Sequence, residues 1–374
     1  MQFPPFALER WMTKYEMNVE YDLAESGIQP MTTAELFALD AEPDRHVRAL
    51  LDLPLMYNEA RGTAALRERI AATYPGLSAD DILVTTGAIE ANYLIFNALL
   101  RPGDGVVAVY PAYQQLYTVP ETIGCDVRRL ELTEETAYRY DIDALTQLVD
   151  GNTRLIVINT PHNPTGSALD AAQCEAIYAL AESVDAHILS DEAYRWLTVD
   201  GQPLAPPMRT LGPRAISVGT VSKPFGLPGL RIGWLAATEE IAAQCWSFRD
   251  YTTLSPNGLS DYLARFALDH RDAILDRTAR ISAANLATLR QFISGRTNMF
   301  SWVEPRGGLL GMLRYNLDLP SFDLAGRLAE EASVMLAPGA AFGLEGRLRI
   351  GVGADPEKFN EGLRRVDDFF ADLG

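Results

Sequence analysis

Lys223 stands among hydroxyl-bearing residues in the segment AISVGTVSKPFGLPGLRIGW, which spans residues 215–234. Thr220 and Ser222 come shortly before the lysine, and Arg231 follows it. A lysine amine condenses with an aldehyde, whereas hydroxyl groups and a guanidinium bind phosphate oxygens. The pattern therefore predicts a cofactor that carries both an aldehyde and a phosphate. Taken alone, the segment also fits a surface lysine after a strand and an arginine in a salt bridge.

Asp191 lies at the end of an apolar run in HILSDEAYR, residues 187–195. Ligands of α/β sheets bind at the carboxyl ends of the strands, so this carboxylate is expected to face the binding crevice. An acid that pairs with a protonated ring nitrogen makes an aromatic cofactor ring an electron sink. Tyr194 is close enough along the chain to reach an oxygen on the same ring. The alternatives are a helix cap for Asp191 and a packed ring for Tyr194.

Asn163 and Tyr113 stand on two other predicted loops. Asn163 lies in NTPHNPTG, where its amide can donate a hydrogen bond to an oxygen of the cofactor ring. Tyr113 ends the tripeptide PAY after the run GVVAVY, where its ring can stack on a flat ligand. Asn-Pro and Thr-Gly are also common turn formers, and an aromatic side chain after a strand often belongs to the core.

Two segments have the residues needed to bind anionic groups. In TTGAIEA, Gly87 is followed by the backbone N–H groups of Ala88 and Ile89 at the start of a predicted helix, which favours phosphate. In GRLRIGVG, Arg349 has the guanidinium geometry that suits a substrate carboxylate. Arg347 points the same way if this stretch is extended, so it is a rival for the same role.

These residues lie on short apolar runs that alternate with helical stretches. The runs predict strands at residues 81–86, 105–110, 154–159, 187–192, 215–220 and 232–237. Helical spacing between them, as at residues 89–100 and 171–184, predicts βαβ units. Nearly all-apolar strands indicate a mostly parallel sheet with helices on both faces. The expected fold class is α/β, with a three-layer αβα large domain.

The pattern changes after about residue 255. Long helical stretches run from 257 to 294, and short strand-like pieces follow before a closing helix. This texture is typical of a smaller α+β domain. We predict a large cofactor-binding domain at residues 41–260 and a small domain formed by residues 1–40 and 261–374.

The composition of the chain excludes several classes of partner. Its 374 residues carry a formal net charge of −18, opposite to the charge that nucleic acid or an anionic membrane attracts. The 3 cysteines lack CxxC spacing and the 4 histidines lack metal-ligand spacing, so we expect neither disulfides nor a metal site. The first residues lack a secretory signal pattern, and no apolar run reaches the ~20 residues of a membrane span. We therefore expect a cytoplasmic protein that binds neither nucleic acid nor a membrane.

In their order along the chain, these segments resemble the class I and II aminotransferases. The likeness spans residues 20–370 and includes YNEARG, TGAIEA, PAY, HNPTG, SDEAY, SKPFGLPGLRIGW and RLRIG. It implies the fold-type I architecture, pyridoxal 5′-phosphate as cofactor and an α-amino acid as the small-molecule substrate. It also implies a homodimer with shared active sites, in which Tyr57 of one subunit reaches the cofactor phosphate of the other.

The resemblance implies a role for each cofactor-side candidate. Lys223 would hold the cofactor as a Schiff base and shuttle the proton, while Asp191 would pair with the ring nitrogen. Asn163 and Tyr194 would hold the ring oxygen, and Tyr113 would stack on the ring. The residues implied to bind the phosphate are Gly87, Ala88, Ile89, Thr220, Ser222 and Arg231.

On the substrate side, the resemblance places Arg349 against the α-carboxylate, beside Asn163. The segment DLAESGIQPMT, residues 22–32, lies where the family has substrate-side residues, which makes Glu25 and Gly27 candidates. Glu25 either meets a cationic substrate or is a solvated loop acid.

Several segments are similar to a narrower group within this fold, the capreomycidine synthases, which dehydrate a hydroxylated arginine and close a ring. These segments are FRDYTTLSP (248–256), PAYQQL (111–116), the glycine-rich run after Lys223 and PRGG (305–308). The sequence therefore supports two reaction hypotheses. An amino-acid aminotransferase is the first, and elimination with cyclisation of an arginine derivative is the second. A non-enzymatic relative and an arginine oxidase are further alternatives.

Both reactions begin with removal of the substrate's α-proton. The amine of Lys223 is the natural base for that step, and we expect its burial to keep it unprotonated near pH 7. The groups around the substrate side chain then decide between the two reactions, and the motifs do not identify those groups.

Overall fold

The computed structural model describes residues 2–203 and 205–373. Thirteen α-helices form within these residues. In chain order they are α1 (Ala7–Tyr15), α2 (Thr33–Phe37), α3 (Pro43–Leu51), α4 (Ala64–Ala71), α5 (Ala88–Leu99), α6 (Gln115–Ile123), α7 (Ile142–Leu148), α8 (Ala171–Ser183), α9 (Glu239–Arg249), α10 (Gly258–Asp269), α11 (Arg271–Ser294), α12 (Ser321–Glu331) and α13 (Pro356–Leu373). Short 3₁₀ helices lie at Ala79–Asp81, Met208–Leu211, Pro228–Leu230 and Gly339–Phe342.

The same described residues contain thirteen strands. They are β1 (Tyr21–Asp22), β2 (Ile82–Thr85), β3 (Gly105–Tyr110), β4 (Asp126–Glu131), β5 (Thr153–Asn159), β6 (His187–Asp191), β7 (Ala215–Thr220), β8 (Gly233–Ala236), β9 (Phe300–Trp302), β10 (Leu310–Tyr315), β11 (Val334–Met335), β12 (Ala337–Pro338) and β13 (Arg347–Gly351).

Seven strands form the main sheet, in the order β2-β8-β7-β6-β5-β3-β4. Neighbouring strands are parallel except around β8, which runs antiparallel to both β2 and β7. Strands β3, β5, β6 and β7 are buried along nearly their whole length, as a sheet covered on both faces requires. The predicted α/β fold with a mostly parallel sheet is confirmed, and the six predicted strands correspond to β2, β3, β5, β6, β7 and β8.

Strand β4 is the element of this sheet that the apolar pattern did not predict. Its sequence DVRRLE is mostly polar, and Leu130 is its one buried residue. β4 pairs only with β3 and forms the edge of the sheet. An edge strand has fewer neighbours to exclude water, so it needs no continuous apolar run.

Two smaller sheets complete the fold. Strands β12, β13, β10 and β9 form an antiparallel sheet in that order. Strand β1 pairs in parallel with β11, which joins the N-terminal segment to the C-terminal third of the chain. Buried residues from Leu8 to Ile28 share one apolar core with residues from Leu286 to Phe370. The division of the chain at residues 41 and 260 stays a prediction.

Local sequence sets where several helices begin. Asp170 and Gln173 form a reciprocal capping box at the start of α8, and Thr32 and Glu35 do the same for α2. The side chain of Asn257 accepts hydrogen bonds from two backbone N–H groups of α10. Among residues 2–203 and 205–373, no helix has both the length and the apolar character needed to cross a bilayer.

Candidate active site

A cavity of about 410 Å³ opens where the carboxyl ends of β5, β6 and β7 meet α1 and β13. Its wall includes every candidate site residue named from the sequence except Tyr57, Gly27 and the rival Arg347. The candidates come from segments that are far apart along the chain. The packing of the two parts of the fold therefore brings them together around one space.

Lys223 follows β7 and forms an ion pair in this cavity. Its Nζ lies 3.1 Å from Oε1 of Glu25, and the same oxygen accepts a hydrogen bond from the backbone N–H of Gly27 at 2.7 Å. The backbone N–H of Ile28 donates to the carbonyl of Lys223, and that of Met31 donates to the carbonyl of Gly226. These backbone contacts hold the Glu25 segment against the Lys223 segment.

The ion pair changes the protonation that we expected for Lys223. Burial by itself lowers the pKa of Lys223, but the carboxylate of Glu25 raises it, and the net result is a raised pKa. The charge of Lys223 in turn holds the pKa of Glu25 below its usual value. The expectation that burial keeps this amine unprotonated is therefore wrong for the cofactor-free chain, because the neighbouring carboxylate outweighs desolvation.

Asp191 is a buried carboxylate at the end of β6. Asn92 on α5 donates to its Oδ2 at 2.9 Å, and the backbone N–H of Ala193 donates to its Oδ1 at 3.1 Å. Burial raises the pKa of Asp191, while these two hydrogen bonds lower it. No cationic side chain of the described residues forms a salt bridge with this carboxylate. Asp191 is therefore placed to accept a charged N–H group from a ligand.

A cluster of phosphate-type donors lies at the start of α5. Gly87 adopts a φ of +79°, and a Cβ at this position would come within 2.6 Å of Nη2 of Arg231. Within the described chain, no side chain caps this helix end, and its first residues Ala88 and Ile89 line the cavity. A residue larger than glycine at position 87 would fill the space beside these donors.

Thr220 and Ser222 add hydroxyl groups on the other side of this cluster. Their Oγ atoms are 2.9 Å apart, and the backbone N–H of Ser222 donates to Oγ1 of Thr220. Both residues are buried and both line the cavity with Arg231. One guanidinium, two hydroxyls and a helix N-terminus form a donor set that suits a phosphate dianion.

Arg349 on β13 is 1% exposed and lies against Asn163. Its Nη1 donates to Oδ1 of Asn163 at 3.1 Å, and its Nη2 donates to the carbonyl of Ala24 at 2.7 Å. Its Nε has no partner among the described residues. Burial lowers the pKa of Arg349, so an anionic ligand in the cavity would be strongly favoured there. The rival Arg347 instead pairs with Glu134 at 2.5 Å and does not line the cavity.

The aromatic candidates lie on two sides of the same space. Tyr113 donates from its hydroxyl to Oε1 of Glu9 at 2.8 Å, and its ring lies 4.7 Å from that of Phe6. Burial, followed by the charge of Glu9, raises the pKa of Tyr113. Tyr194 is buried between Lys223 and Arg349, and burial raises its pKa as well.

Several residues that line the cavity were not predicted from the sequence. Glu9 on α1 and Glu16 at its C-terminal cap also line the cavity, as Glu25 does. Their spacing of seven residues on an amphipathic helix, with Leu8 and Met12 buried beside them, is the signal that would have found them. Asn92 is a buried amide within the apolar helix α5, and such an isolated polar residue also marks a site.

Tyr57 lies outside the cavity, with its side chain 83% exposed. Its neighbours Leu55 and Met56 are exposed too, and so is Tyr251 on the turn after α9. Exposed apolar residues that form a patch usually mark an interaction surface. Within one chain, Tyr57 therefore contributes nothing to the cavity.

Comparisons with known proteins agree with this architecture. The family model "Aminotransferase class I and II" matches residues 48–366. Capreomycidine synthase from Streptomyces vinaceus is 33% identical over 98% of the chain and 93% of its own length. A pyridoxal phosphate-dependent aminotransferase from Streptococcus suis 89-1591 superposes with a TM-score of 0.96 at 33% identity, covering 100% of this chain and 99% of that one. The pyridoxal phosphate-dependent cyclase OrfR superposes with a TM-score of 0.92 at 30% identity, again covering 100% and 99%.

Proposed function

The chain belongs to the class I and II aminotransferases, and from this premise we propose that it acts on an amino acid with a cationic side chain of the guanidine type. It is an enzyme that depends on pyridoxal 5′-phosphate and converts an amino acid. The observation that carries the proposal is the set of carboxylates in the cavity wall, Glu9, Glu16 and Glu25. They line the same cavity as Lys223 and Arg349, and we propose that they surround the substrate side chain.

The residues of the cavity fit the phosphate of this cofactor. Arg231, the hydroxyls of Thr220 and Ser222 and the free N–H groups of Ala88 and Ile89 provide one cation and several neutral donors. Because the missing Cβ of Gly87 leaves space beside Arg231, the donors can approach a phosphate closely. We propose that these residues, with Gly87, hold the phosphate.

The cavity also fits the ring of the cofactor. Asp191 is buried without a cationic partner among the described residues, which is the environment that a protonated ring nitrogen would satisfy. Asn163 uses its Oδ1 to accept from Arg349, so its amide N–H₂ group remains to donate to a ring oxygen, together with Tyr194. Tyr113 borders the same space and presents an aromatic face.

When bound, pyridoxal phosphate supplies a carbonyl carbon that takes the substrate amine and a ring that withdraws electrons. Arg349 holds the substrate carboxylate, because its buried Nε needs an acceptor. Lys223 lines the same cavity as Arg349, and we propose that its Nζ takes the α-proton. Glu25 then stabilises the ammonium group that forms on Lys223, because its carboxylate lies 3.1 Å away.

The side-chain end of the cavity favours a cation. Three carboxylates line the cavity, from Glu9, Glu16 and Glu25, and the first two are exposed. A guanidinium presents a fork of donors that pairs with carboxylates. An acidic substrate such as aspartate would meet repulsion in this position. Arginine and hydroxylated arginines are therefore the substrates that we favour.

Transamination is the reaction that family membership supports first. The second candidate is elimination of water with cyclisation, supported by the similarity to capreomycidine synthase over nearly the whole chain. We propose that in this second reaction the carboxylate of Glu25, which lies beside Lys223 in the cavity wall, acts on the substrate beyond its α-carbon.

We further propose a cytoplasmic homodimer with shared active sites. The exposed patch around Tyr57 supports association of two chains. Its phenol would then reach the cofactor phosphate of the partner subunit. Cys125 is partly buried, and Cys174 and Cys245 are buried.

A substrate panel tests the proposal. Purified protein with pyridoxal phosphate is incubated with arginine, hydroxyarginines, methionine and aspartate, each with and without a keto-acid acceptor, and the products are identified by mass spectrometry. We expect turnover of the guanidine-bearing substrates. Acceptor-dependent keto-acid formation indicates transamination, whereas loss of water without an acceptor indicates elimination. Preference for aspartate or methionine would contradict the proposed substrate class.

A further inference from the structure

A fully buried arginine lies outside the cavity, where α9 ends. The side chain of Arg249 is 0% exposed, and its Nη2 has no hydrogen-bond partner among the described residues. Burial lowers the pKa of Arg249, and Glu90 only partly offsets this effect. Burying a guanidinium costs free energy unless the group is hydrogen-bonded and paired with a charge. The groups that Arg249 binds therefore indicate its structural role.

Arg249 joins three separate segments of the chain. Its Nη1 donates to the carbonyl of Val84 on β2 at 2.6 Å and to that of Ala60 at 2.7 Å. Its Nε donates to Oγ1 of Thr253, on the turn after α9, at 3.2 Å. A single side chain thus links the edge strand β2, the loop before α4 and the turn that follows its own helix.

One side of this network ends at the proposed phosphate site. Glu90 lies 4.0 Å from Nε of Arg249 and is in the first turn of α5. Its Oε2 accepts from the backbone N–H of Thr86 at 2.5 Å, and its Oε1 accepts from the hydroxyl of Thr253 at 2.6 Å. Thr86 directly precedes Gly87, so this carboxylate fixes the turn that presents the phosphate donors.

The other side of the network ends at an exposed apolar strip. We define this strip as Leu51, Leu55, Met56, Tyr57, Tyr251 and Leu254. Leu51 ends α3, and the other members lie on the two segments that Arg249 contacts at Ala60 and Thr253. The loop at residues 60–62 is also held to β2, since the backbone N–H of Val84 donates to the carbonyl of Arg61.

We propose that Arg249 is a positioning residue that couples the cofactor-phosphate turn to the apolar strip, so that cofactor binding and association of two chains strengthen each other. This inference rests on the proposed function, because it takes the strip as the dimer surface and the turn as the phosphate site. Coupling between two binding events is reciprocal: the factor by which the cofactor tightens the dimer equals the factor by which dimerisation tightens the cofactor.

The coupling is measured in proteins that lack the direct contact from Tyr57. Three proteins are compared: the single variant Tyr57→Phe, and the same variant combined with either Arg249→Lys or Arg128→Lys. For each protein we measure the Kd of pyridoxal phosphate, and the Kd of the dimer with and without cofactor. Arg128 is the matched control, because it is a partly buried arginine that donates to the carbonyl of Leu148 at the opposite end of the sheet. We expect Arg249→Lys to weaken both equilibria about tenfold and to reduce the coupling factor, with no change from Arg128→Lys.

The inference would be overturned if Arg249→Lys changed neither the Kd of the cofactor nor the Kd of the dimer. It would also be overturned if this change weakened cofactor binding and left the Kd of the dimer unaltered. If that protein fails to fold by circular dichroism, Glu90→Gln replaces it. This change keeps the arginine but weakens the link between Thr86 and Thr253, and it should loosen both equilibria in the same direction. A wild-type protein that binds no pyridoxal phosphate would instead contradict the proposed function itself.

Discussion

Nζ of Lys223 lies 3.1 Å from Oε1 of Glu25, and both side chains line the cavity. The lysine proposed to hold the cofactor therefore begins as an ammonium group paired with a carboxylate. When Lys223 is engaged with the cofactor, Glu25 loses this partner. We infer that the same carboxylate then serves a cationic substrate.

Replacing Glu25 by glutamine should lower the pKa of Lys223 in the cofactor-free protein. The carboxylate favours the ammonium form, whereas burial alone favours the neutral amine. Acylation requires the neutral amine, so the labelling of Lys223, followed by peptide mass spectrometry across a pH series, should begin at lower pH. Glu16→Gln is the control, and labelling curves that coincide for wild type and Glu25→Gln would refute the ion pair.

The same Glu25→Gln change should raise KM for arginine-type substrates about tenfold, equivalent to about 1.4 kcal/mol of binding free energy. The loss follows from removing a carboxylate that faces a guanidinium. An uncharged substrate processed by the enzyme should show a smaller change in KM. An equal change for both kinds of substrate would mean that Glu25 acts only through Lys223.

Arg349→Lys should raise KM for the amino-acid substrate by about tenfold or more, because a buried guanidinium that holds a carboxylate is replaced by a single ammonium group. Arg347→Lys is the matched control, since Arg347 pairs with Glu134 and lies outside the cavity wall. Steady-state kinetics give both values. A larger increase in KM for Arg347→Lys than for Arg349→Lys would indicate that Arg347 binds the substrate carboxylate.

The buried His162 should make the protein less stable in acid. Burial lowers the pKa of His162 from 6.5 to about 3, so the unfolded chain takes up a proton that the folded chain refuses. Stability is therefore fully present above pH 6.5 and falls as the pH decreases below it, by at most about 1.4 kcal/mol per pH unit. Denaturant unfolding of wild type and His162→Gln at several pH values measures the difference. Two parallel stability curves would contradict this account.

The strand ends and their site residues could be predicted because each depends on local sequence. Asp191 ends an apolar strand, and Lys223 and Arg231 stand close together in one short segment of the sequence. Such patterns require no knowledge of distant contacts. The order of these segments along the chain then supplied the family likeness.

The substrate side of the site could not be predicted in the same way. Glu9 and Glu16 reach the cavity only because α1 packs on the C-terminal part of the chain, far away in sequence. The protonation of Lys223 likewise depends on Glu25, which the pairing of the N-terminal segment with residues 223–226 brings into contact. Contacts between segments far apart in sequence determine both the position of these glutamates and the protonation of Lys223. The spacing of apolar residues along the chain does not predict such contacts.

The central claim is that Lys223 holds pyridoxal phosphate. The most direct measurement is reduction of the cofactor-loaded protein with borohydride, followed by peptide mapping. A phosphopyridoxyl mass on the peptide that contains Lys223, together with its absence in Lys223→Ala, is the predicted result. An unmodified Lys223 in cofactor-saturated wild-type protein would contradict the account.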